Sequence, residues 1–293
     1  MLDSNKTNSD PFISVVIPTR HRNDYLAQCL DCLHPDVQSL KSDNYEVIVS
    51  DDGSLTTSES MIKEKYPWVR WVAGPRKGPA ANRNNGVQHI RAPWIAFTDD
   101  DCLPNSNWIE AYVKAIKTNP SHNVFEGKTM PDREQQRFNE VSPRNEKGGY
   151  LWSCNLAVRA NYYKEIGGYC EDFHFELEDI EFRTRVIKDG QELIFVPEAS
   201  ACHPWRLVNY HYKVGIDSVL TLLKRHPDHR KYYSLTTRLK ILIPQSINII
   251  PYAFKYKFRG LNYAIIDLLY EIKSAFLIQF MLWRHDRRLR TQR

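Results

Sequence analysis

The sequence predicts an α/β fold, in which a mostly parallel sheet is flanked by helices and followed by a helical C-terminal extension. Three observations support it. Short β-branched runs alternate with helical patterns along the first part of the 293-residue chain. Polar clusters follow several of the predicted strands, as at the ligand-binding edge of an open sheet. From residue 203 onward, long helical stretches replace this alternation.

The first part of the chain holds the alternating elements. Strands are predicted at residues 13–17, 45–50, 68–72 and 94–98. Helical spacing of apolar residues predicts helices at about residues 23–33, 57–65 and 79–90, and around Trp108. The elements predicted next are a loop at 131–149, a strand at 152–158, a turn at Gly167-Gly168, a helix at 178–188 and a strand at 193–196. Three prolines predict breaks in the later helices: Pro227, Pro244 and Pro251.

Charge is unevenly distributed along the chain. Residues 1–202 hold 23 Lys/Arg and 30 Asp/Glu, a net charge of −7, whereas residues 203–293 hold 17 and 5, a net charge of +12. A positive field confined to the last third argues against a nucleic-acid-binding protein. We place the domain boundary after residue 206, so that residues 207–293 form a basic, amphipathic helical extension.

Hydropathy along the chain bears on targeting and membrane insertion. The first ten residues contain no apolar run, and no window reaches about 18 uninterrupted apolar residues, so we expect neither a signal peptide nor a spanning helix. The six cysteines lack the spacing of a zinc site and are expected to be reduced thiols. These features predict a cytoplasmic protein.

Four polar clusters follow predicted strands or begin a predicted helix: Pro18-Thr19-Arg20, Asp51-Asp52, Asp99-Asp100-Asp101 and Glu178-Asp179. Single clusters of this kind have simpler explanations, because Asp is favoured in turns and at helix caps, and acidic residues complement a helix dipole. Three adjacent aspartates are a stronger signal. Their mutual repulsion, if they are unpaired, favours a divalent cation that prefers oxygen ligands, such as Mg2+ or Mn2+.

Arg83 lies near the start of a predicted helix, after Gly78 and Pro79. A cation beside a helix N-terminus suits the binding of a diphosphate. The alternative is a solvated surface charge.

Five blocks in order resemble the inverting family 2 glycosyltransferases, which have the GT-A fold. The blocks are ISVVIPTRHRNDYLAQCL, YEVIVSDDGS, GPAANRNNGVQHIRAPWIAFTDDDCLP, LWSCNLAVRANYYKEIGGY and FELEDIEFRTRVIKDG. The resemblance runs from residue 13 to about residue 203. It implies that residues 1–206 form a catalytic GT-A domain that binds a nucleotide-sugar.

The resemblance also implies roles for the residues at the first two strand ends. Pro18, Thr19 and Arg20 would line the nucleoside pocket together with Asp51 and Asp52. One of the two aspartates would accept a hydrogen bond from the base, and the sequence leaves open which one.

The aspartate triplet matches the DxD motif of the family. Asp99 would face the ribose or sugar, Asp100 would also contribute to the donor site, and Asp101 would bind Mn2+ or Mg2+. Arg83 matches the arginine of an Ala-Arg-Asn block and would lie near the diphosphate. His203 stands where many GT-A enzymes supply a metal ligand, although an isolated His before Pro is often only a surface residue.

The remaining matches concern catalysis and the acceptor. Glu178-Asp179 matches the family's ED pair, with Asp179 as the general base. Trp152 and Asn155 match the acceptor-side segment. The resemblance thus implies transfer of a sugar from a nucleoside-diphosphate sugar, with a UDP-sugar favoured, to a glycan or lipid-linked acceptor in glycan or cell-surface polysaccharide synthesis.

Two other functions stay open at this point. The same fold could serve a non-catalytic nucleotide-sugar-binding or assembly subunit, although a binder has no need of a positioned base. A nucleotidyltransferase is disfavoured, because residues 18–22 lack the glycines of its phosphate loop.

The C-terminal extension also allows two interpretations. Residues 261–283 are rich in large apolar side chains but include Asp267, Glu271 and Lys273, which is typical of an amphipathic helix. Five arginines follow between residues 284 and 293. The extension either packs on the catalytic domain or docks on an anionic membrane surface, which would make the protein peripheral at the inner face of the membrane.

Overall fold

The structure of the protein is a computed structural model that describes residues 10–173, 176–208 and 215–291. The chain divides into two compact units, one comprising Met1–Asp132 and Pro143–Pro204 and the other Arg133–Ser142 and Trp205–Arg293. The break after Pro204 lies two residues before the predicted boundary. The sequence did not indicate that residues 133–142 would join the second unit.

Ten strands are found in the described parts of the chain. They are β1 (Ile13–Thr19), β2 (Tyr45–Asp51), β3 (Val69–Ala73), β4 (Trp94–Thr98), β5 (Leu103–Pro104), β6 (Val124–Met130), β7 (Glu140–Val141), β8 (Asn155–Arg159), β9 (Ile194–Cys202) and β10 (Arg206–Leu207). The described α-helices are α1 (Asn23–Cys32), α2 (Glu59–Lys65), α3 (Pro79–Val87), α4 (Trp108–Thr118), α5 (Ala160–Glu165), α6 (Glu178–Lys188), α7 (Ile216–Arg225), α8 (Leu235–Lys255) and α9 (Leu261–Thr291).

The first unit is built on a sheet of eight described strands in the order β3-β2-β1-β4-β8-β6-β9-β5. β1 pairs in parallel with β2 and β4, and β2 pairs in parallel with β3. β8 runs antiparallel between β4 and β6. The predicted α/β fold with a mostly parallel sheet, flanking helices and a helical C-terminal region is therefore confirmed.

Helices cover both faces of this sheet, which explains why β1, β2 and β4 are buried along their whole length. On one face, Leu30 of α1 and Trp108 of α4 pack with the β1 residue Val15. On the other face, Val87 of α3 and Phe182 of α6 pack with strand residues that alternate with the first set. The carboxyl ends of the parallel strands are left for the polar residues that follow them.

Several predicted boundaries differ from the structure. The strand predicted at 152–158 begins only at Asn155. The strand predicted at 193–196 is found as β9, which extends to Cys202. Gly167 and Gly168 form the predicted turn with φ values of +88° and +62°, which glycine adopts without strain. The short helix α5 between them and β8 was not predicted.

The second unit is helical, with a two-stranded ribbon in which β7 pairs with β10. The 133–142 segment joins this unit through the Phe138 N–H, which donates to the Arg259 carbonyl at 3.2 Å, and the Tyr256 hydroxyl, which donates to Gln135 at 2.9 Å. The predicted breaks at Pro244 and Pro251 are wrong, because both lie inside α8. Packing of α8 on α9 outweighs the lost backbone hydrogen bonds.

Among the described helices, none is both long and apolar enough to cross a membrane.

Candidate active site

The aspartate triplet after β4 lies against two arginines. Arg22, at the start of α1, contacts Asp100 at 2.5 Å and Asp101 at 3.0 Å. Arg83 contacts Asp99 at 2.7 Å. The triplet is therefore not unpaired: arginine side chains neutralise the aspartates, so repulsion alone does not require a metal ion. Sequence reasoning missed Arg22, whose only signal was its nearness to the first polar cluster.

Asp100 lies at the centre of this cluster and is completely buried. Its Oδ2 accepts a hydrogen bond from the Thr19 hydroxyl at 2.7 Å, which joins the ends of β1 and β4. Burial raises the pKa of Asp100 to about 7, while Arg22 acts in the opposite direction. Asp100 is thus held inside the protein, and Asp99 is the more accessible member of the triplet.

Asp101 and His203 form the second half of the cluster, and both are buried. His203 Nε2 lies 3.4 Å from Asp101 Oδ1, and His203 Nδ1 lies 3.2 Å from the Pro204 carbonyl. A carbonyl can only accept, so the contact with Pro204 is a hydrogen bond when Nδ1 is the donor. Nε2 then faces the Asp101 carboxylate, and an imidazole nitrogen beside a carboxylate oxygen is a common pair of metal ligands.

Cys102 completes a group of three side chains whose potential ligand atoms lie within 4.8 Å of one another. A hydrogen bond with Cys154 and burial raise the pKa of the Cys102 thiol well above its usual value. Hard cations such as Mg2+ and Mn2+ prefer oxygen ligands, and a thiol suits them poorly. Asp101 and His203 are the residues that fit a divalent cation.

Asp51, the last residue of β2, and Asp52, directly after it, are buried and organise the loops that follow them. Asp51 accepts four hydrogen bonds, from the Gly53 N–H, the Ser58 N–H and hydroxyl, and the Trp71 indole. Asp52 accepts two, from the N–H groups of Arg76 and Gly78. A carboxylate offers about four acceptor positions, so Asp51 is saturated and Asp52 is not.

Asn82 ties these strand ends together. Its amide nitrogen donates to the carbonyls of Thr19 at 3.2 Å and Ser50 at 2.8 Å, and its oxygen accepts from the Ser50 hydroxyl. The side chain is buried. A buried amide thus links β1, β2 and α3, a role that sequence reasoning missed. Arg20 is exposed at the end of β1, and Pro18 is buried within it.

Arg83 is buried, so the interpretation of it as a solvated surface charge is wrong. Its two terminal nitrogens bridge Asp99 at 2.7 Å and Glu178 at 3.1 Å. The guanidinium also lies over the Tyr169 ring, 5.5 Å from its centroid. Arg83 therefore joins α3, the end of β4 and the start of α6 in one charged network.

The first turn of α6 carries the two acidic residues. Leu177, directly before it, has a φ of +70°, a left-handed conformation that costs of order 1 kcal/mol in a residue other than glycine. Burial raises the pKa of Asp179 to about 7, and the Glu178 carboxylate contributes to the rise. Asp179 Oδ1 is buried without a hydrogen-bond partner among the described residues. Such an oxygen is well suited to accept a proton.

A buried carboxylate positions the segment that precedes β8. Glu126, fully buried in β6, accepts hydrogen bonds from the N–H groups of Tyr150 at 3.1 Å and Leu151 at 2.9 Å. The next residue, Trp152, stacks on the Tyr150 ring with the centroids 5.4 Å apart. The signal missed in the sequence was a Glu that directly follows the apolar residues Val124 and Phe125 in a strand.

The side-chain amide of Asn155 is occupied by contacts within the protein. Its side chain is buried and makes four hydrogen bonds: to the carbonyls of Lys128 and Ala199, and from the Trp108 indole and Tyr112 hydroxyl. These four hydrogen bonds use both N–H groups and both oxygen lone pairs of the amide. They do not support the predicted role of Asn155 in binding an acceptor.

The family model described as "Glycosyl transferase family 2" matches residues 14–166, more than half of the chain. The chain belongs to glycosyl transferase family 2. The matched range contains the strand ends, the aspartate triplet and Arg83, while α6 and His203 lie beyond it.

Curated glycosyltransferases are similar to this member of the family. "Glycosyltransferase AglE" of Haloferax volcanii is 24% identical over 250 residues, which cover 78% of this chain and 80% of the relative. "Pre-mycofactocin glycosyltransferase" of Mycobacterium tuberculosis is 27% identical over 240 residues, which cover 74% of this chain but only 48% of the relative.

Solved structures show the same fold. The crystal structure of S. aureus TarS 1–349 in complex with UDP-GlcNAc has a TM-score of 0.55 at 19% identity, covering 72% of this chain and 64% of that chain. The complex of the same TarS fragment with UDP has a TM-score of 0.53 and covers 66% of this chain and 60% of that chain.

Proposed function

We propose that the protein is a metal-dependent, inverting glycosyltransferase that moves a sugar from a UDP-sugar to an acceptor hydroxyl. The observation that carries the proposal is the buried network in which Arg83 joins Asp99 to Glu178, next to Asp179. The network brings Asp99, on the proposed donor side, close to Glu178 and to Asp179, whose pKa is raised. Asp99 and Glu178 come from separate elements of the fold. The UDP and UDP-GlcNAc complexes of TarS support the choice of donor.

The nucleoside would bind at the ends of β1 and β2. Asp52 is the better acceptor for a base N–H, because Asp51 already receives four hydrogen bonds from the protein. Exposed Arg20 and the backbone after β1 complete the proposed pocket.

Asp101 and His203 would hold the divalent cation. A nitrogen ligand beside a carboxylate favours Mn2+ over Mg2+, which strongly prefers oxygen. When bound, the cation would neutralise the charge that develops on the leaving diphosphate. Arg22, already in contact with Asp100 and Asp101, would add positive charge on the same side.

Asp179 would act as the general base. Its Oδ1 takes the proton of the acceptor hydroxyl while that oxygen bonds to the anomeric carbon and the bond from this carbon to the diphosphate oxygen breaks. A single displacement from the opposite face of the sugar inverts the anomeric configuration. Glu178, bonded to Arg83, would hold the base in place without taking the proton itself.

We expect the rate to depend on the ionisation of Asp179. Because burial and Glu178 raise its pKa to about 7, kcat/KM should fall about tenfold per pH unit below that value. Besides burial, the Glu178 and Asp99 carboxylates raise the pKa of Asp179, whereas the Arg83 guanidinium and the Ser153 N–H lower it. A profile that stays flat down to about pH 5 would indicate a base with an ordinary carboxylate pKa.

Donor binding can be tested directly by thermal shift with UDP, GDP, dTDP and CMP, each with and without Mn2+. A ligand at about 100 times its dissociation constant stabilises a protein by about 2.7 kcal/mol, and each kcal/mol raises the Tm of a domain of this size by roughly 2–4 °C. We expect the largest, Mn2+-dependent shift with UDP. No shift with any nucleotide in a folded sample would support a non-catalytic subunit instead.

The acceptor would be a glycan or a lipid-linked sugar, and the pathway the synthesis of a glycan or cell-surface polysaccharide. The stacked rings of Tyr150 and Trp152 support a sugar acceptor, because aromatic faces pack well against the apolar face of a pyranose. We place the protein in the cytoplasm, at the inner face of the membrane.

A further inference from the structure

The described part of the second unit exposes an unusual amount of apolar surface. Of the 22 exposed large apolar side chains in the described residues, 15 lie between Leu239 and Trp283, on or between α8 and α9. Exposed apolar residues scattered singly are normal, but a dense group marks an interaction surface.

These side chains form stripes on the two helices. On α8 the exposed residues recur at intervals of three or four: Leu239, Ile243, Ile247, Ile250 and Phe254. Ile247, Ile250 and Phe254 are each 65–68% exposed. On α9 the stripe consists of Ile265, Leu269, Phe276, Phe280 and Trp283. Each helix buries a different face, with Leu242 and Ala253 on α8 and Ala275 and Ile278 on α9. Both helices are therefore apolar on two faces, and the second face needs a partner.

The charge around the stripes indicates what kind of partner covers them. Residues 203–293 carry a net charge of +12, and Lys240, Lys255, Lys257 and Lys273 lie on or next to α8 and α9. Of the acidic residues in this unit, Glu271 is already paired with Arg238. A second copy of the chain would bring the same positive charge to the interface, whereas an anionic lipid leaflet would complement it.

A basic cavity of about 520 Å³ lies at the end of the α9 stripe. Arg230, Lys231 and Arg287 line it together with Ser234 and Trp283. The Arg287 guanidinium lies 4.7 Å from the centroid of the Trp283 ring. None of the described residues that line the cavity is acidic. Cations beside an exposed Trp are suited to a phosphate group at the membrane interface.

We propose that α8 and α9 form a docking surface for an anionic phospholipid bilayer, with the apolar stripes in the acyl region and the basic cavity on a lipid phosphate. Each helix lies in the plane of the interface, since neither is apolar enough to cross it. The inference deepens the peripheral location proposed above and names the surface responsible. It rests on contacts within the second unit and not on the donor site.

Vesicle co-sedimentation of the full chain tests the proposal. We expect binding to vesicles of phosphatidylcholine with about a third phosphatidylglycerol, and much weaker binding to phosphatidylcholine alone or at about 1 M salt. Ile250→Glu with Phe254→Glu should weaken binding at least about tenfold, since it puts charge into the acyl region. Leu55→Glu, at a 92% exposed position in the first unit, is the matched control and should bind like the wild type.

The basic cavity has its own variant. Replacing Arg230, Lys231 and Arg287 by Ala should lower binding to the anionic vesicles about 100-fold, about fivefold for each basic residue. Release of the wild type by about 10 mM inorganic phosphate would mean that the cavity prefers free phosphate, and would overturn the lipid assignment.

Three further results would contradict the proposal: equal binding of the stripe variant and the wild type, equal binding to neutral and anionic vesicles, or a dimer that the stripe variant abolishes. The last would make the stripes an interface between copies. The UDP-dependent thermal shift of the same variants reports on the donor site separately. A protein that binds UDP but no vesicles would refute the docking surface alone.

Discussion

Asp179→Asn should lower kcat by about 10²–10⁴-fold, because the amide cannot take the proton of the acceptor hydroxyl. The change preserves the size of the side chain and removes a carboxylate whose Oδ1 is buried without a partner among the described residues. The affinity for the donor nucleotide should stay unchanged, since Asp179 is proposed to act on the acceptor. Initial rates at saturating donor and acceptor, with UDP affinity measured in parallel, would check both expectations.

Two observations separate this result from misfolding. The ionised carboxylate is costly to bury, as the raised pKa shows, so the amide should leave the Tm equal to that of the wild type or above it. Asp36→Asn, which removes a carboxylate that is 92% exposed, is the matched control and should keep full activity. Wild-type turnover in the Asp179 variant would mean that another group is the base.

Arg83→Met should destabilise the protein by about 3–5 kcal/mol, the usual cost of removing one partner from a buried ion pair. Arg83 is 4% exposed and lies between Asp99 and Glu178, so its loss leaves the buried Glu178 carboxylate without its cation. For a domain of this size the expected fall in Tm is roughly 6–20 °C, measurable by calorimetry. Arg144→Met removes a 58% exposed partner of Glu146 and should change stability by less than about 1 kcal/mol.

The destabilisation should also depend on pH. Arg83 lowers the pKa of both Glu178 and Asp179, so without it both carboxyls hold their protons to higher pH in the folded protein than in the unfolded chain. A group whose folded pKa is raised loses stability as pH rises. The deficit of the variant should therefore be smaller at about pH 5 than at about pH 8, and a second change, Glu178→Gln, should recover part of it. A pH-independent deficit would mean that lost packing, not charge, is responsible.

Several features of the fold could be predicted because they depend on local sequence patterns. β1, β2, β3 and β4 are short runs rich in β-branched and aromatic residues, and α3 and α6 show helical spacing. The antiparallel insertion of β8 between β4 and β6 could not be predicted, because strand order depends on contacts between distant segments. The continuity of α8 through Pro244 has the same cause, since packing on α9 overrides a local penalty.

The candidate active site also has features that the sequence indicates and features that depend on contacts between distant segments. Motif spacing indicated the polar residues at the strand ends and brought His203 under consideration, and the structure places His203 against Asp101. Motif spacing could not indicate that the Asn155 amide makes four hydrogen bonds within the protein, or that Arg22 lies against Asp100. Each of these depends on which side chains meet after folding.

The sequence by itself determined the family, the alternation of strands and helices, the carboxylates at the strand ends and the basic charge of the C-terminal region. All of these are properties of residue type and spacing. Only the tertiary structure decided that Arg83 would join Asp99 and Glu178, which lie 16 and 95 residues away along the chain, and that Asp179 would have a pKa of about 7. Burial and Coulomb interactions depend on distances in space, and these exist only once the chain has folded.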